Sequence, residues 1–202
     1  MEKREILARF TAYAPHVETA LLEKAYDYST TAHAQQSRAS GEHYFVHCDA
    51  VAQSLIEWKM DLATICAGLL HDVLEDTSVS EQTLRAEFGD EITKMVAGVT
   101  KLDHLQFNSR DDAQAENWRR MLLATAQDIR VVIIKLADRL HNMKTLNYLE
   151  HARQMRIAYE TVSLYAPLAH RLGMFQLKSQ LDDLAFRVLE PDAYEDLNTK
   201  VT

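Results

Sequence analysis

Apolar residues recur at helical spacing along most of the chain. The spacing predicts helices over residues 17–34, 47–58, 61–75, 80–88, 90–99, 113–127, 128–148, 151–171 and 176–188. Only five glycines and three prolines interrupt the sequence, and residues of high helix propensity fill the stretches between them. Residues 189–202 read as a terminal helix or a tail. The pattern therefore predicts a compact all-α fold.

Two polar segments separate the predicted helices. QSRASGEHY (36–44) clusters small polar residues around Gly41, and LDHLQFNSRDD (102–112) is the second such segment. Loops held by a rigid helical frame often carry binding groups, so we expect these two to rim a pocket. Because no internal repeat or interdomain linker is visible, residues 1–202 are expected to form one domain.

Composition excludes several classes of protein. Apolar residues make up 47% of the chain, yet no stretch is long and apolar enough for a membrane span, and the charged N-terminus does not resemble a secretory signal. A cytoplasmic location is therefore expected. The formal charge of −8 argues against nucleic-acid binding, so a phosphorylated ligand needs cations supplied locally. The two cysteines, Cys48 and Cys66, are too few for a disulfide framework and are expected to be structural.

The strongest chemical signal is HDVLED (71–76), which follows an apolar stretch. On one continuous helix His71 shares a face with Glu75, and Asp72 with Asp76. Carboxylates that close repel one another unless a cation compensates. A solvated helix end explains the cluster poorly, because carboxylates are unfavourable at helix C-termini.

Two further residues extend this signal. Asp138 follows a mostly apolar run, where a buried carboxylate needs a metal or a cation such as Arg139. His47 is a weaker candidate, since a histidine on an apolar face is more often a core residue. Two imidazoles and two carboxylates suit Mn²⁺, Fe²⁺ or a related ion that lowers the pKa of a bound water, which favours hydrolysis. Glu75 and Asp76 are then placed to orient or deprotonate that water, or to support the ligands.

The order of these motifs resembles the HD metal-dependent phosphohydrolases. More specifically, segments along nearly the whole chain resemble the hydrolase domain of the RelA/SpoT homologues: RASGEHYFVH (38–47), LLHDVLEDT (69–77), GVTKL (98–102), QAENWRRMLLATAQDIRVVIIKLADRLHNMKTL (114–146) and YAPLAHRLGM (165–174). The resemblance implies an all-helical domain that uses Mn²⁺ to remove the 3′-pyrophosphate of the alarmones ppGpp and pppGpp. The products would be GDP or GTP and pyrophosphate, and the stringent-response signal would fall.

The resemblance also implies roles for individual residues. The metal ligands would be His47, His71, Asp72 and Asp138, and the pair that activates water would be Glu75 and Asp76. Arg38 would pack on the guanine, and the nucleotide pocket would be lined by Ser40, Asn142 and Thr145. We expect a stand-alone small alarmone hydrolase, although residues 182–197 resemble the segment that leads into the synthetase of long members. A homo-oligomer remains open.

Three departures from the family's pattern keep alternatives open. Ala39 stands where a basic residue is common, and His43 and Cys48 stand where prolines are common. One alternative is an HD hydrolase of another nucleotide, such as an adenine 3′-pyrophosphate. A second is a module that senses alarmone without turning it over, against which the intact Glu75-Asp76 pair argues. A purely structural helical protein leaves the aligned carboxylates unexplained.

Overall fold

The computed structural model describes residues 3–103 and 127–201. Within these ranges there are helices and no β-strand, so the all-α prediction is confirmed. The α-helices are α1 (Lys3–Tyr13), α2 (Ala20–Ala32), α3 (Phe45–Glu57), α4 (Leu62–Leu70), α5 (Val73–Asp76), α6 (Glu81–Asp103), α7 (Ile129–Lys144), α8 (His151–Glu160), α9 (Ala166–Arg171), α10 (Phe175–Leu189) and α11 (Pro191–Val201).

The chain forms two compact units, Met1–Asp138 and Arg139–Thr202, and the boundary falls inside α7. In the first unit α4 is the central helix and packs against α2, α3 and α6. Every residue of α4 from Thr64 to Leu70 is buried, as its almost wholly apolar sequence predicts. The expectation of a single domain stays a prediction.

A break after α4 creates the bend that carries the His-Asp pair. The helix begins at an N-cap, where the Asp61 side chain accepts a hydrogen bond of 2.8 Å from the amide of Thr64. It ends at Leu70, and α5 starts only at Val73, so one continuous helix over 61–75 was a wrong prediction. Tertiary packing, not local propensity, decides this boundary.

The predicted division at Gly89 is present. The pattern predicts separate helices over 80–88 and 90–99, and α6 (Glu81–Asp103) is interrupted at Gly89 by non-helical backbone that kinks it there. Gly89 has a φ of 79°, which lies in the left-handed region that glycine adopts without steric cost.

The second unit contains α8 to α11. The predicted helix over 151–171 is present, but its middle, Thr161–Tyr165, is a π-helical segment that leads into α9. Pro167 lies two residues after Tyr165, and its missing backbone N–H gives one reason for irregular hydrogen bonding there. The terminal residues form helix α11, and the predicted helix over 113–127 lies almost wholly outside the described residues, as does most of the loop over 102–112.

Among the helices that the structure describes, none combines the length and apolar character needed to cross a bilayer.

Candidate metal centre

Two helices and the bend after α4 bring four predicted ligands together within the first unit. His47 lies in the first turn of α3, His71 and Asp72 form the bend, and Asp138 lies on α7. His47, His71 and Asp138 are buried, and the Asp72 side chain is only 14% exposed. A cluster of four ionisable side chains with this burial needs internal charge compensation.

The distances between the ligand atoms suit a single divalent ion. His47 Nε2 lies 3.2 Å from His71 Nε2 and 3.2 Å from Asp138 Oδ1. Asp72 Oδ2 lies 3.1 Å from His71 Nε2 and 3.5 Å from His47 Nε2. Ligand atoms about 2.2 Å from a metal and at right angles to one another are about 3.1 Å apart. The donor set and its spacing therefore fit a divalent metal.

Hydrogen bonding orients one of the imidazoles for this role. His71 Nδ1 donates to the carbonyl oxygen of Gly68 at 2.8 Å, so Nε2 is the nitrogen that faces the cluster. Burial alone lowers the pKa of an imidazole, but the Asp72 carboxylate raises the pKa of His71 to about 9. For His47, burial prevails and the pKa is lowered. The carboxylates of the cluster thus favour a positive charge at its centre.

A buried lysine accompanies Asp138. Lys135 Nζ donates to Asp138 Oδ2 at 2.6 Å, while Asp138 Oδ1 faces His47. Burial alone would raise the pKa of Asp138, but Lys135 and the imidazoles hold it well below its usual range. The cation considered from the sequence, Arg139, instead donates to Glu160 Oε2 at 2.9 Å and lies 4.0 Å from the Tyr165 ring. From the sequence, a metal or a cation such as Arg139 could compensate Asp138, and the cation that pairs with it in the structure is Lys135.

Tyr44 connects the cluster to the predicted water-activating pair, and sequence reasoning missed it. Its hydroxyl lies 2.8 Å from Asp72 Oδ2 and 2.6 Å from Asp76 Oδ2. Asp76 and Glu75 are both exposed on α5. The available signal for Tyr44 was its position three residues before His47, at the start of a helix. The signal for Lys135 was the same spacing, three residues before Asp138 on α7.

The predicted substrate loop has its own internal support. Ser37 and His43 form an isolated antiparallel bridge, and Gly41 turns the chain with a φ of 84°. Within this loop the Arg38 guanidinium lies 5.8 Å from the Tyr44 ring centroid, and Ser40 Oγ donates to Glu42 Oε2 at 3.1 Å. The loop therefore places Arg38 beside the Tyr44 side chain, which also contacts Asp72.

The other two predicted substrate residues, Asn142 and Thr145, belong to the second unit. Thr145 Oγ1 donates to the carbonyl oxygen of His141 at 3.1 Å. Their role in a nucleotide pocket stays a prediction.

The model of the HD domain family matches residues 25–175, which include all four candidate ligands. The chain belongs to the HD domain family. Metal dependence is a property of this family, so the cluster is a candidate metal centre on two independent grounds.

Full-length relatives agree with the RelA/SpoT resemblance. "GTP pyrophosphokinase rsh" of Brucella ovis is 47% identical over 194 residues, which cover 96% of this chain and 26% of that protein. The guanosine-3′,5′-bis(diphosphate) 3′-pyrophosphohydrolase of Vibrio cholerae is 49% identical over 187 residues (93% and 26%). The bifunctional (p)ppGpp synthase/hydrolase SpoT of Escherichia coli is 48% identical over 182 residues (90% and 26%). The chain thus spans about a quarter of the length of these relatives.

A solved structure supports the same assignment. It is described as a metazoan ortholog of SpoT that hydrolyses ppGpp, and it is 27% identical with a TM-score of 0.62. The match covers 85% of this HD domain chain and 96% of the metazoan one. The resemblance seen in the sequence is confirmed for the fold and the family.

Proposed function

We propose that the chain hydrolyses the 3′-pyrophosphate of ppGpp and pppGpp, giving GDP or GTP and pyrophosphate and so lowering the alarmone signal. The observation that carries the proposal is the buried cluster of two imidazoles and two carboxylates with neighbouring ligand atoms 3.1–3.5 Å apart. Support comes from two relatives, 49% and 48% identical to this chain, whose names describe ppGpp hydrolases.

The ion that we propose for the cluster is Mn²⁺, held by His47, His71, Asp72 and Asp138. Mixed nitrogen and oxygen donors with two imidazoles suit this class of ion better than an all-thiolate structural zinc site. When bound, such an ion lowers the pKa of water and offsets negative charge on phosphate oxygens.

The protein's own carboxylates would manage the proton of the attacking water. Water would add to the phosphorus bonded to the 3′ oxygen, and its proton would pass to Asp76 or Glu75. The bond from phosphorus to the 3′ oxygen would break with its electron pair on that oxygen, which takes up a proton to become the 3′ hydroxyl. Both carboxylates lie on α5, immediately after the ligand Asp72, and both are exposed. An exposed carboxylate is accessible to substrate and solvent, as a residue that takes and returns protons must be.

Nucleotide recognition would fall to the loop between α2 and α3. A guanidinium stacks well on a purine face, and Arg38 is held near the Tyr44 ring by the bridged loop. The resemblance also assigns Ser40, Asn142 and Thr145 to nucleotide binding, and these assignments stay predictions. Since Ala39 adds no charge to this loop, phosphate binding would rely more heavily on the metal centre.

The direct test is pyrophosphate release from ppGpp by chelator-stripped protein, with and without added Mn²⁺. We expect release that depends on Mn²⁺ and is abolished in a His71→Ala, Asp72→Ala variant that still shows helical circular dichroism. An adenosine 3′-pyrophosphate tested in parallel should react more slowly. Folded, metal-loaded protein that releases no pyrophosphate from ppGpp would refute the proposal.

A second variant separates hydrolysis from sensing. Glu75→Ala, Asp76→Ala should still bind Mn²⁺ through the four ligands but lose turnover. Unchanged pyrophosphate release in that variant would remove these two carboxylates from the mechanism.

A further inference from the structure

Tyr44 lies at a junction of the site. It directly precedes α3, and its hydroxyl reaches Asp72 Oδ2 at 2.8 Å and Asp76 Oδ2 at 2.6 Å. One of these carboxylates is a candidate metal ligand, and the other is a candidate acceptor of the water's proton. No role for Tyr44 follows from the four-ligand cluster or from the Glu75-Asp76 pair.

A phenol has one proton to donate, so the two carboxylates compete for it. Asp72 Oδ2 already faces the two imidazoles, with His71 Nε2 at 3.1 Å and His47 Nε2 at 3.5 Å, and a metal at the cluster would also draw on this oxygen. Within the part of the chain that the structure describes, Asp76 forms no ion pair, and its Oδ2 accepts from the Tyr44 hydroxyl. We therefore expect the Tyr44 hydroxyl to donate its hydrogen bond to Asp76.

Asp76 needs such a constraint because it is exposed. An exposed aspartate at the end of the short helix α5 is free to change rotamer in solvent. A group that takes a proton in a transition state must be held in the productive geometry, and small displacements cost rate.

Two residues that precede α3 hold Asp76: Tyr44 contacts its carboxylate and Gln36 contacts its backbone. Gln36 Nε2 donates to the backbone carbonyl of Asp76, and His33 Nδ1 donates to Gln36 Oε1 at 2.6 Å. The His33 ring stacks on the Tyr44 ring with centroids 4.9 Å apart and an interplanar angle of 18°. The contacts thus form a closed circuit through His33, Gln36, Asp76 and Tyr44.

We propose that Tyr44 is a positioning residue, whose hydroxyl fixes the Asp76 carboxylate relative to Asp72 and hence to the metal ligands. The effect of Tyr44 on catalysis rests on the proposed function, whereas the positioning of Asp76 by Tyr44 does not. Arg38 lies over the ring of Tyr44. The loop that would bind the guanine base is therefore linked through Tyr44 to Asp76, which would accept the proton of the water.

The experiment compares Tyr44→Phe with Tyr13→Phe in the full chain. Tyr13 is the matched control, because its hydroxyl donates to the carbonyl of Met60 at 2.7 Å and contacts no residue of the site. For each protein, kcat and KM for pyrophosphate release from ppGpp are measured, and the Mn²⁺ dissociation constant is determined from the electron paramagnetic resonance signal of free Mn²⁺. Crystal structures of wild type and Tyr44→Phe report the Asp76 rotamer.

Tyr44→Phe should lower kcat about 10- to 100-fold, the range found for residues that orient the groups around a metal. KM and the Mn²⁺ dissociation constant should stay within about threefold of wild type, and Tyr13→Phe should leave all three unchanged, as expected for removal of a hydroxyl distant from the chemistry. Asp76 should occupy one rotamer in wild type and several in Tyr44→Phe.

Three results would overturn the inference. The first is a kcat for Tyr44→Phe within about threefold of wild type. The second is a loss that excess Mn²⁺ restores, because Tyr44 would then support only the metal ligand Asp72. The third is an unchanged Asp76 rotamer in Tyr44→Phe. If wild type itself releases no pyrophosphate, the proposed function fails, and the rotamer comparison still decides whether Tyr44 positions Asp76.

Discussion

Lys135 offers the most informative perturbation of the candidate metal centre. Its ammonium group lies 2.6 Å from Asp138 Oδ2, and both side chains are buried, at 8% and 5% exposure. Replacing Lys135 with Met keeps much of the aliphatic volume and removes the charge. The Asp138 carboxylate then remains buried without its ion-pair partner.

The expected cost follows from this burial. Removing one partner of a buried ion pair costs about 3–5 kcal/mol, because the remaining charge is uncompensated. Since His47 Nε2 still faces Asp138 Oδ1 at 3.2 Å, we expect the lower end, about 3 kcal/mol, in metal-free protein. A divalent ion at the cluster supplies positive charge to the same carboxylate, so Mn²⁺ should offset at least about half of that loss through its preference for the folded state.

The assay is urea unfolding followed by circular dichroism, once with chelator and once with saturating Mn²⁺. Lys178→Met serves as the matched control, because Lys178 and Asp182 form an exposed pair at 2.5 Å on one helix. That variant should lose at most about 0.5 kcal/mol in either condition. Lys135→Arg, which keeps the charge, should fall between wild type and Lys135→Met.

Two outcomes would refute the reasoning. A loss below about 1 kcal/mol for Lys135→Met in chelator would mean that the pair does not compensate Asp138. Equal losses with and without Mn²⁺ would mean that the ion does not reach the Asp138 carboxylate.

Three further predictions concern other features. Saturating Mn²⁺ should raise the urea midpoint of wild type, because it binds only the folded cluster, and His71→Ala should abolish most of the increase. In the native protein Cys48 and Cys66 should react with a disulfide reagent only on unfolding, since both are buried and burial raises the pKa of Cys66 to about 12; rapid reaction of native protein would contradict this. Arg130→Ala should lower the unfolding free energy by about 1 kcal/mol, because Arg130 bonds Asp128 at 2.8 Å and Glu91 at 2.7 Å; a loss that 1 M salt does not reduce would argue against an ionic origin.

The sequence determined most of the elements and pointed to the candidate site residues. Helical periodicity and the scarcity of glycine and proline are local properties, so most helices were predictable, including α4, whose residues from Thr64 to Leu70 are buried. His71, Asp72 and Asp138 stood out as candidates, because ionisable residues in apolar surroundings are costly without compensation. His47 was singled out by the family resemblance, since a histidine on an apolar face is more often a core residue. The break at Gly89 was visible in the local pattern, whereas the end of α4 at Leu70 was not.

Tertiary structure decided which charges meet. That Lys135 rather than Arg139 compensates Asp138 depends on which side of α7 faces the cluster, and that face is set by packing. The link from Tyr44 to both Asp72 and Asp76 joins segments that are far apart in sequence and meet only when α3 packs against α4. Residue type and spacing specify the chemical groups, but their mutual distances are fixed only by the folded backbone, and those distances decide whether the groups can share one metal ion and one proton.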